Sequence, residues 1–387
     1  MAAERAHELA GATDSYADVG QMLRQLRPVQ PVYCIYPKRY RASTVAFVRE
    51  FPGRVLYAVK ANDDPRVLSL LYESGIRHFD CASLPEVSRV AGLFPDASCY
   101  FMIPVRLRGA AAVAQRQYGV RHFVIDHDAG LESLAREIDL PGSVIFARMA
   151  VHHKSAMSDL SAKFGAAPAL IPSLIESIAA RGAEPALAFN VGSSVTDPAA
   201  YRYAIGVAAR VLGTLPRKLR LVDIGGGFAM PYPGFPVPPL AEYFAAVREA
   251  MTALPLSENG EILCEPGRAL AAPGLTAVVE VLMRKDDRLF INDGIYGIFW
   301  ELNLKGHDRY PAVAYRDGRP LDGRQRDFRL YGPTCDNIDM LPGAVGLPAD
   351  LRAGDYIEFS GIGAYSLSGR TSFNGHYSDT VVTIEAD

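Results

Sequence analysis

The sequence contains few cysteines, little excess charge and no long apolar run. Its five cysteines are widely spaced and form no CxxC pair, so neither a disulfide framework nor a cysteine-based zinc site is expected. This cysteine usage favours a reducing, cytoplasmic compartment. The net charge of −3 comes without a basic block, which argues against a nucleic-acid partner. Residues 1–13 lack the apolar core of a signal peptide, and no run of about 18 apolar residues predicts a membrane span.

What the chain does contain is an alternation of short apolar strands with helical segments. The pattern predicts strands at Arg54–Lys60, His78–Cys81, Cys99–Ile103, His122–Ile125, Val144–Met149, Ala186–Val191, Leu219–Ile224 and Glu261–Cys264. Amphipathic segments such as Asp64–Ser74 and Leu84–Leu93 lie between them. Eight such βα units predict a closed parallel (β/α)8 TIM-like barrel over residues 31–272, with an open Rossmann-type sheet as the alternative.

The chain changes character after the eighth predicted strand. Residues 273–387 contain strand-forming segments separated by Pro, Gly and Asp turns, which predicts a C-terminal all-β domain. The predicted strands there are Leu275–Met283, Asp287–Asn292, Asp327–Tyr331, Tyr356–Phe359 and Thr380–Glu385. Residues 1–30 are typical of a short helix and a linker, and we expect the strand candidate at residues 31–36 to join the β domain.

The first predicted barrel strand ends in a lysine, Lys60. Barrel enzymes keep their chemistry at the carboxyl ends of the strands. Because burial disfavours a charged ammonium, the pKa of such a lysine tends to fall, and its amine becomes a nucleophile able to form a Schiff base. A solvated lysine that only caps the strand is the alternative.

The loops after the seventh and eighth predicted strands are suited to a phosphate group. Gly225–Gly227 follow the seventh strand and can expose backbone N–H groups, although a tight structural turn would need the same residues. Glu265 and Arg268 follow the eighth strand. In barrels these two loops commonly bind phosphate. A nucleophilic lysine, a phosphate site and an acid that can meet a ring nitrogen together predict pyridoxal 5′-phosphate.

Seven stretches of the chain carry a resemblance to a known family. They are Tyr57–Asn62, Phe79–Ser83, Val191–Ser193, Asp223–Phe228, Glu265–Arg268, Gly332–Asp339 and Gly363–Tyr365. In these motifs and their order the sequence resembles the ornithine/diaminopimelate decarboxylases. These are fold-type III pyridoxal-phosphate enzymes, related in architecture to alanine racemase. The resemblance implies α-decarboxylation of an amino acid to an amine.

The resemblance also implies a role for each matching residue of the barrel. Lys60 would hold the cofactor aldehyde, and Glu265 would pair with the pyridine nitrogen. Asp80 and Arg148 would hold the surroundings of Lys60 in place, with a helix N-cap as the alternative role for Asp80. The phosphate would be bound by Ser193, Gly225, Gly226, Gly227, Gly267, Arg268 and Tyr365.

Residues of the β domain would complete the site across a dimer. In this family the loop that carries Cys335 and Asp336 reaches the active site of the neighbouring subunit, which implies a homodimer with shared sites. Cys335 would donate a proton to Cα, since a thiol pKa lies near enough to neutral for transfer, although a lone cysteine is more often an inert apolar residue. Lys163 and Asp339 match positions that pair across that interface, with an ordinary surface pair as the alternative.

Two positions depart from the family. Asn190 stands where a histidine usually stacks on the cofactor ring, and an amide can stack there but cannot titrate. Lys305 stands where an acidic residue usually helps to hold the distal amine of basic substrates. A cation cannot hold an ammonium group, so we expect an amino acid with a carboxylate-bearing side chain, such as a citrate-conjugated one of siderophore assembly. Asp336 and Tyr296 are further substrate-binding candidates. A basic amino acid such as ornithine or lysine, held by Asp336 alone and used in polyamine synthesis, is the alternative substrate.

Other functions fit the sequence less well. A racemase would need a second base facing Lys60, such as Tyr296 or Tyr365, whereas the Cys335–Asp336 loop favours decarboxylation. A regulator without activity would be expected to lose cofactor residues that are present here. His152 and His153 have no third ligand spaced with them, so no metal site is predicted.

Overall fold

The computed structural model describes residues 14–303 and 310–387. Eight of the described strands are parallel and close into a barrel. They are Arg54–Ala58, His78–Cys81, Ser98–Phe101, His122–Ile125, Val144–Met149, Glu184–Phe189, Leu219–Asp223 and Leu256–Cys264. Val55 pairs with Cys264, which joins the last strand to the first. The strands read as apolar runs because side chains fill the barrel interior while helices cover its outside. The predicted closed barrel is confirmed, and the open-sheet alternative is wrong.

Helices flank the barrel strands and pack on their outer surface. They are Pro37–Glu50, Pro65–Glu73, Leu84–Leu93, Ala110–Tyr118, Asp128–Ala135, Ile171–Ala180, Ala199–Leu212, Leu240–Met251 and the short Arg268–Ala271. The side chain of Ser83 accepts the N–H of Glu86 and so caps the helix that begins at Leu84. The capping role considered for Asp80 therefore belongs to Ser83. Over residues 14–303 and 310–387, no helix is long and apolar enough to cross a membrane.

Within the described residues, a ten-stranded sheet forms from the parts of the chain before and after the barrel. Its strands are Ser15–Tyr16, Val32–Ile35, Leu275–Lys285, Arg288–Ile291, Ala312–Arg316, Arg319–Pro320, Gln325–Tyr331, Val345–Pro348, Tyr356–Ser360 and Val381–Ile384. Val32–Ile35 pairs antiparallel with Leu275–Lys285 and parallel with Val381–Ile384. The N-terminal segment also contains the helix Val19–Leu26. A domain boundary near residue 272 stays a prediction.

Several strand ends differ from the sequence-based prediction. The first barrel strand ends at Ala58, and Val59–Ala61 form a 3₁₀ turn in which the N–H of Asn62 donates to the carbonyl of Val59 at 3.1 Å. Lys60 therefore stands on a turn above the strand end rather than in the strand. Four strands of the sheet had no predicted counterpart, and two of them are only two residues long, too short to show a period of two. They are Ser15–Tyr16, Ala312–Arg316, Arg319–Pro320 and Val345–Pro348.

An aromatic cluster anchors the triple-glycine turn to the core. Phe228 follows Gly227 directly, packs edge-to-face on Phe47 with ring centroids 5.0 Å apart, and stacks on Tyr201 at 5.1 Å. Each such aromatic pair stabilises by about 0.5–1.5 kcal/mol beyond its burial. The Tyr201 hydroxyl also donates to the carbonyl of Gly226 at 2.8 Å. The turn is thus held by core packing on one side and is open to the barrel mouth on the other.

Candidate active site

Lys60 lies at the carboxyl end of the barrel, where its ammonium is 4.0 Å from the Asp80 carboxylate. The Lys60 side chain is 46% exposed, whereas that of Asp80 is only 3% exposed. Burial lowers the pKa of the Lys60 amine, but electrostatic interactions with Asp80, Tyr365 and Glu265 outweigh it, so the pKa is raised above its ordinary value. The predicted fall in the Lys60 pKa is therefore wrong, because these neighbours favour the charged amine.

Three largely buried carboxyl groups stand at the barrel mouth beside Lys60. Burial, reinforced by Glu265, raises the pKa of Asp80 to about 8. Burial and the neighbouring Asp223 raise the pKa of Glu265 to about 8, and burial raises the pKa of Asp223 to about 7. Arg148 opposes the rise of all three pKa values. Burial thus disfavours full ionisation of all three carboxyl groups together, and a cation placed beside Glu265 would favour its ionised form.

The triple-glycine turn has room for nothing larger than glycine. A Cβ on Gly226 would lie 2.6 Å from the carbonyl oxygen of Glu265, and a Cβ on Gly227 would lie 2.7 Å from that of Gly192. Gly227 also has a φ of 98°, which side chains rarely adopt. The turn thereby approaches the loops after the sixth and eighth barrel strands closely. Such a backbone cradle is suited to an anion such as phosphate.

A cavity of about 320 Å³ opens at this end of the barrel. Predicted cofactor residues that line it are Lys60, Asn190, Ser193, Gly226, Gly227, Glu265, Gly267, Arg268 and Tyr365. Of the others, Arg148 lines a small adjoining cavity together with Asn190 and Glu265, and Asp80 contacts Lys60. Gly225 belongs to the glycine turn. The structure thus brings the predicted cofactor residues together around one space.

Residues without a predicted role also line this cavity. They are Ser158, Leu160, Ser194, Trp300 and Glu301. Ser158 lies on the long loop after Val144–Met149, and its carbonyl accepts the N–H of Ser193 at 2.9 Å. The sequence did not indicate Ser158, because an irregular loop shows no periodic pattern. Ser194 has a positive φ of 46°, and its buried Oγ has no hydrogen-bond partner in the described part of the chain. Of these five residues, only Ser194 could have been expected from the sequence, because it follows the predicted phosphate-binding residue Ser193.

Arg268 and Glu301 form a buried ion pair in the cavity wall. Their side chains are 5% and 2% exposed. Arg268 Nη1 donates to Glu301 Oε2 at 2.9 Å, and Nη2 donates to Oε1. The Nε of Arg268 is buried without a hydrogen-bond partner among residues 14–303 and 310–387. Because buried donors are normally satisfied, this Nε and the Ser194 hydroxyl fit a group with several acceptor oxygens, and phosphate is such a group.

Asn190 lines the cavity with its amide engaged in a turn. Its Oδ1 accepts the N–H of Gly192 at 2.9 Å, and a Cβ on Gly225 would lie 2.8 Å from its Nδ2. This contact fixes the path of the chain into Ser193. The placement of the Asn190 amide against a cofactor ring stays a prediction.

Cys335, Asp336 and Tyr296 of the β domain, unlike Tyr365, do not line the Lys60 cavity of the same chain. Cys335 is exposed, and both its backbone N–H and its thiol donate to Oδ1 of Asn374, at 3.2 and 3.3 Å. The Tyr296 hydroxyl donates to Asp336 at 2.6 Å and lowers the pKa of that carboxyl group. Lys305 lies outside the described residues. Cys335 and Asp336 thus each have a partner within the β domain, and neither lines the Lys60 cavity of its own chain.

Asp339 points into its own chain. It is 2% exposed, and its carboxylate accepts the N–H of Ile295 at 3.0 Å and both the N–H and the hydroxyl of Thr334 at 3.0 and 2.7 Å. Lys163 is exposed, with its ammonium 4.9 Å from the ring centre of Phe164. The ordinary surface pair considered for Lys163 and Asp339 is therefore wrong, and their pairing across an interface stays a prediction.

Comparisons with known proteins agree with this geometry. The family model described as "Pyridoxal-dependent decarboxylase, pyridoxal binding domain" matches residues 38–272. Decarboxylase flvG of Aspergillus flavus is 32% identical over 350 residues, which cover 84% of this chain and 78% of that protein. The lysine/ornithine decarboxylase of Selenomonas ruminantium is 31% identical over 341 residues, which cover 86% and 83%. The crystal structure of the Paramecium bursaria Chlorella virus arginine decarboxylase bound to agmatine superposes with a TM-score of 0.85 at 25% identity, covering 95% of this chain and 99% of that one.

The family match covers more than half of the chain, and it includes the lysine, the glycine turn and the acid that surround the cavity. The relatives are named as decarboxylases and align over more than four fifths of the chain. The chain therefore belongs to the fold-type III pyridoxal-phosphate-dependent decarboxylases, and it is an amino-acid decarboxylase whose cofactor is pyridoxal 5′-phosphate.

Proposed function

We propose that the protein removes the α-carboxylate of an amino acid whose side chain ends in a positive charge, in the class of ornithine and lysine. The contact between Tyr296 and Asp336 carries this proposal. The Tyr296 hydroxyl holds the pKa of Asp336 below its ordinary value, so the carboxylate is ionised at neutral pH. It stands beside Cys335 on one loop. An ionised carboxylate is the group that binds a distal ammonium.

The relatives support a basic substrate. Those named for lysine, ornithine and arginine are similar to this chain over most of its length. Arginine, however, carries a planar guanidinium rather than an ammonium and needs a longer pocket. Ornithine and lysine are therefore the first substrates to test.

Within this proposal the cavity residues hold the cofactor. Pyridoxal 5′-phosphate supplies a ring that accepts the electron pair left on Cα when carbon dioxide departs. Lys60 would hold the aldehyde carbon of the cofactor through its amine. Glu265 would pair with the pyridine nitrogen, whose positive charge would favour the ionised carboxylate. The residues that would bind its phosphate are Ser193, Gly225, Gly226, Gly227, Gly267, Arg268 and Tyr365.

Asp80, Arg148 and Asn190 position these groups. Asp80 favours the protonated form of the Lys60 amine, so this amine is a proton donor whenever it is released from the cofactor. Arg148 opposes the rise in the pKa of Glu265 and so keeps that acid closer to its ionised form. Asn190 fixes the turn that leads into Ser193.

A second subunit completes the site in this proposal. Cys335 is exposed and does not line the cavity of its own chain, which is what a residue supplied to a neighbour requires. The reaction breaks the bond between Cα and the carboxyl carbon and releases carbon dioxide. The Cys335 thiol of the neighbouring chain then gives its proton to Cα and recovers one from water, and the product is an amine.

A second candidate substrate rests on Lys305. Its position in the sequence favours an amino acid whose side chain carries a carboxylate, such as a citrate-conjugated one. A lysine ammonium there would attract that carboxylate and repel the distal amine of ornithine. The two candidates differ in the sign of charge at the far end of the substrate.

The release of carbon dioxide from a panel of amino acids separates these candidates. The panel contains ornithine, lysine, arginine and a citrate-linked diamino acid. We expect turnover of ornithine or lysine, and we expect Asp336→Asn to raise their KM by about tenfold or more through loss of the ionic contact. Asp350→Asn is the matched control, since Asp350 is an exposed β-domain carboxylate paired with Arg316. Turnover of the citrate-linked substrate alone, lost in Lys305→Asp, would favour the second candidate.

A further inference from the structure

The arginine of the proposed phosphate site already has an anionic partner. Both Nη nitrogens of Arg268 donate to the two carboxylate oxygens of Glu301, and the Tyr232 hydroxyl lies 3.4 Å from Nη1. Glu301 is 2% exposed, stands on the short turn Trp300–Asn303 and lines the same cavity as Lys60. The pair is therefore part of the cofactor cavity and not a surface contact.

This pairing limits what Arg268 can offer to a phosphate. Its Nε is buried without a hydrogen-bond partner in the described part of the chain, whereas both Nη nitrogens are engaged by Glu301. A phosphate bound next to Ser193 and Gly267 would thus meet the edge of the guanidinium that carries Nε, since Glu301 occupies the edge between the two Nη nitrogens. The positive charge of that guanidinium is, however, already shared with the Glu301 carboxylate.

We propose that Glu301 competes with the cofactor phosphate for Arg268 and so lowers the affinity of the site for phosphate-bearing ligands. The inference rests on the proposed role of this cavity as the phosphate site. One guanidinium carries a single positive charge, while the Glu301 carboxylate and a phosphate dianion would both lie beside it. Like charges repel more strongly in a buried site than in water. Glu301 thereby sets how tightly the cofactor is held by its phosphate end.

The same pair stabilises the chain before the cofactor binds. A buried arginine without a counter-ion is strongly destabilising, and Glu301 supplies that counter-ion. In Glu301→Gln the side chain keeps its size and loses its charge, so Arg268 becomes a buried cation without an ionised partner at position 301. A bound phosphate would then become its counter-ion. The variant therefore gains more from binding phosphate than the natural chain does.

The test compares two ligands that differ only in the phosphate. The full chain is freed of cofactor with hydroxylamine, and the dissociation constants of pyridoxal 5′-phosphate and pyridoxal are measured by fluorescence titration. For Glu301→Gln we expect the ratio of the pyridoxal constant to the pyridoxal-phosphate constant to rise about tenfold or more. The pyridoxal constant itself is expected to stay within about twofold, since pyridoxal carries no phosphate to compete.

Glu358→Gln is the matched control. Glu358 is 6% exposed, accepts the hydroxyls of Tyr36 and Tyr315 at 2.7 and 2.9 Å, and does not line the cavity. For Glu358→Gln the ratio of the pyridoxal to the pyridoxal-phosphate dissociation constant is expected to match that of the natural chain. Glu301→Asp keeps the negative charge but moves it away from Arg268 by the length of one methylene group. The ratio of the two dissociation constants is therefore expected to lie between those of the natural chain and Glu301→Gln.

The possible outcomes are distinct. A ratio that is unchanged or lower in Glu301→Gln overturns the inference, because Glu301 would then only orient Arg268. If Glu301→Gln does not fold, Glu301→Asp decides by the same rule, and a ratio no higher than that of the natural chain overturns it. A natural chain that binds pyridoxal 5′-phosphate no more tightly than pyridoxal would instead remove the phosphate assignment on which the inference rests.

Discussion

The Lys60 ammonium lies 4.0 Å from the Asp80 carboxylate, and this contact follows from the register of two neighbouring barrel strands. Ala58, the last residue of its strand, pairs with Asp80 on the adjacent parallel strand. The turn after Ala58 carries Lys60 above that pair. The carboxyl ends of parallel strands thus place an amine and an acid at the same mouth, with Glu265 close enough to raise the pKa of both groups.

Gly226→Ala is expected to weaken cofactor binding by about tenfold or more. A Cβ at this position would lie 2.6 Å from the backbone carbonyl of Glu265, so the turn that faces the phosphate must shift. The dissociation constant from an absorbance titration measures the effect. Gly92→Ala is the matched control, since a Cβ there has no neighbour within 4 Å and alanine favours its helix by about 1 kcal/mol. Equal cofactor affinity in the two variants would show that the triple-glycine turn does not bind the phosphate.

Cys335→Ala is expected to slow decarboxylation by about tenfold or more, because a positioned proton donor typically contributes at least that much. The cofactor absorbance is expected to survive, since Cys335 does not line the cavity of its own chain. Turnover and the mass of the product are measured together. The cofactor absorbance of the same sample controls for misfolding. A variant with the natural rate and the natural product would exclude Cys335 from the reaction.

Mixing Lys60→Ala with Cys335→Ala chains tests the shared site. If each site takes Lys60 from one chain and Cys335 from the other, half of the randomly assembled pairs contain one intact site, which restores about a quarter of the natural activity. Each variant alone, unfolded and refolded in the same way, is the control. No gain of activity on mixing, in a sample shown to contain mixed pairs, would contradict sites that are shared between subunits.

The cofactor-free chain is expected to lose stability as the pH rises from about 6.5 to about 8.5. The folded-state pKa of Glu265 is raised from its ordinary value of 4.5 to about 8. In this window the folded chain still holds a proton that the unfolded chain has released, so the contribution of that proton to stability is lost as the pH rises through the folded-state pKa. Asp80, with a pKa raised to about 8, acts in the same direction.

Urea midpoints at several pH values across this window measure the slope. Glu265→Gln removes one titrating group, so its stability is expected to fall less steeply with pH than that of the natural chain. Glu249→Gln, which removes an exposed carboxylate paired with Arg202, is the control and is expected to keep the natural slope. Parallel slopes for the natural chain and Glu265→Gln would show that Glu265 is already ionised in the folded state.

The barrel and the core of its site could be predicted from the sequence for a physical reason. Parallel strands buried on both faces read as short apolar runs between amphipathic helices, so their number and order are visible. The carboxyl ends of such strands share one mouth. Lys60, Gly226 and Glu265 could therefore be placed together before their distances were known.

Contacts between distant loops could not be predicted in this way. Glu301 pairs with Arg268 from a turn 33 residues further along the chain. No periodic pattern in the sequence predicts an ion pair between two such segments. Ser158 reaches Ser193 through a long loop whose path depends on tertiary packing. The inward orientation of Asp339 depends on donors from Thr334 and Ile295 that meet only in the folded chain.

The measurement that tests the central claim most directly is the position of the covalent link between chain and cofactor. Borohydride reduction of the natural protein fixes pyridoxal 5′-phosphate to the amine that holds it, and peptide mass spectrometry then locates the modified residue. We predict a single modified lysine, Lys60, and no modified peptide from Lys60→Ala. A link at another lysine in the natural protein, or an equal yield of modified peptide from Lys60→Ala, would contradict it.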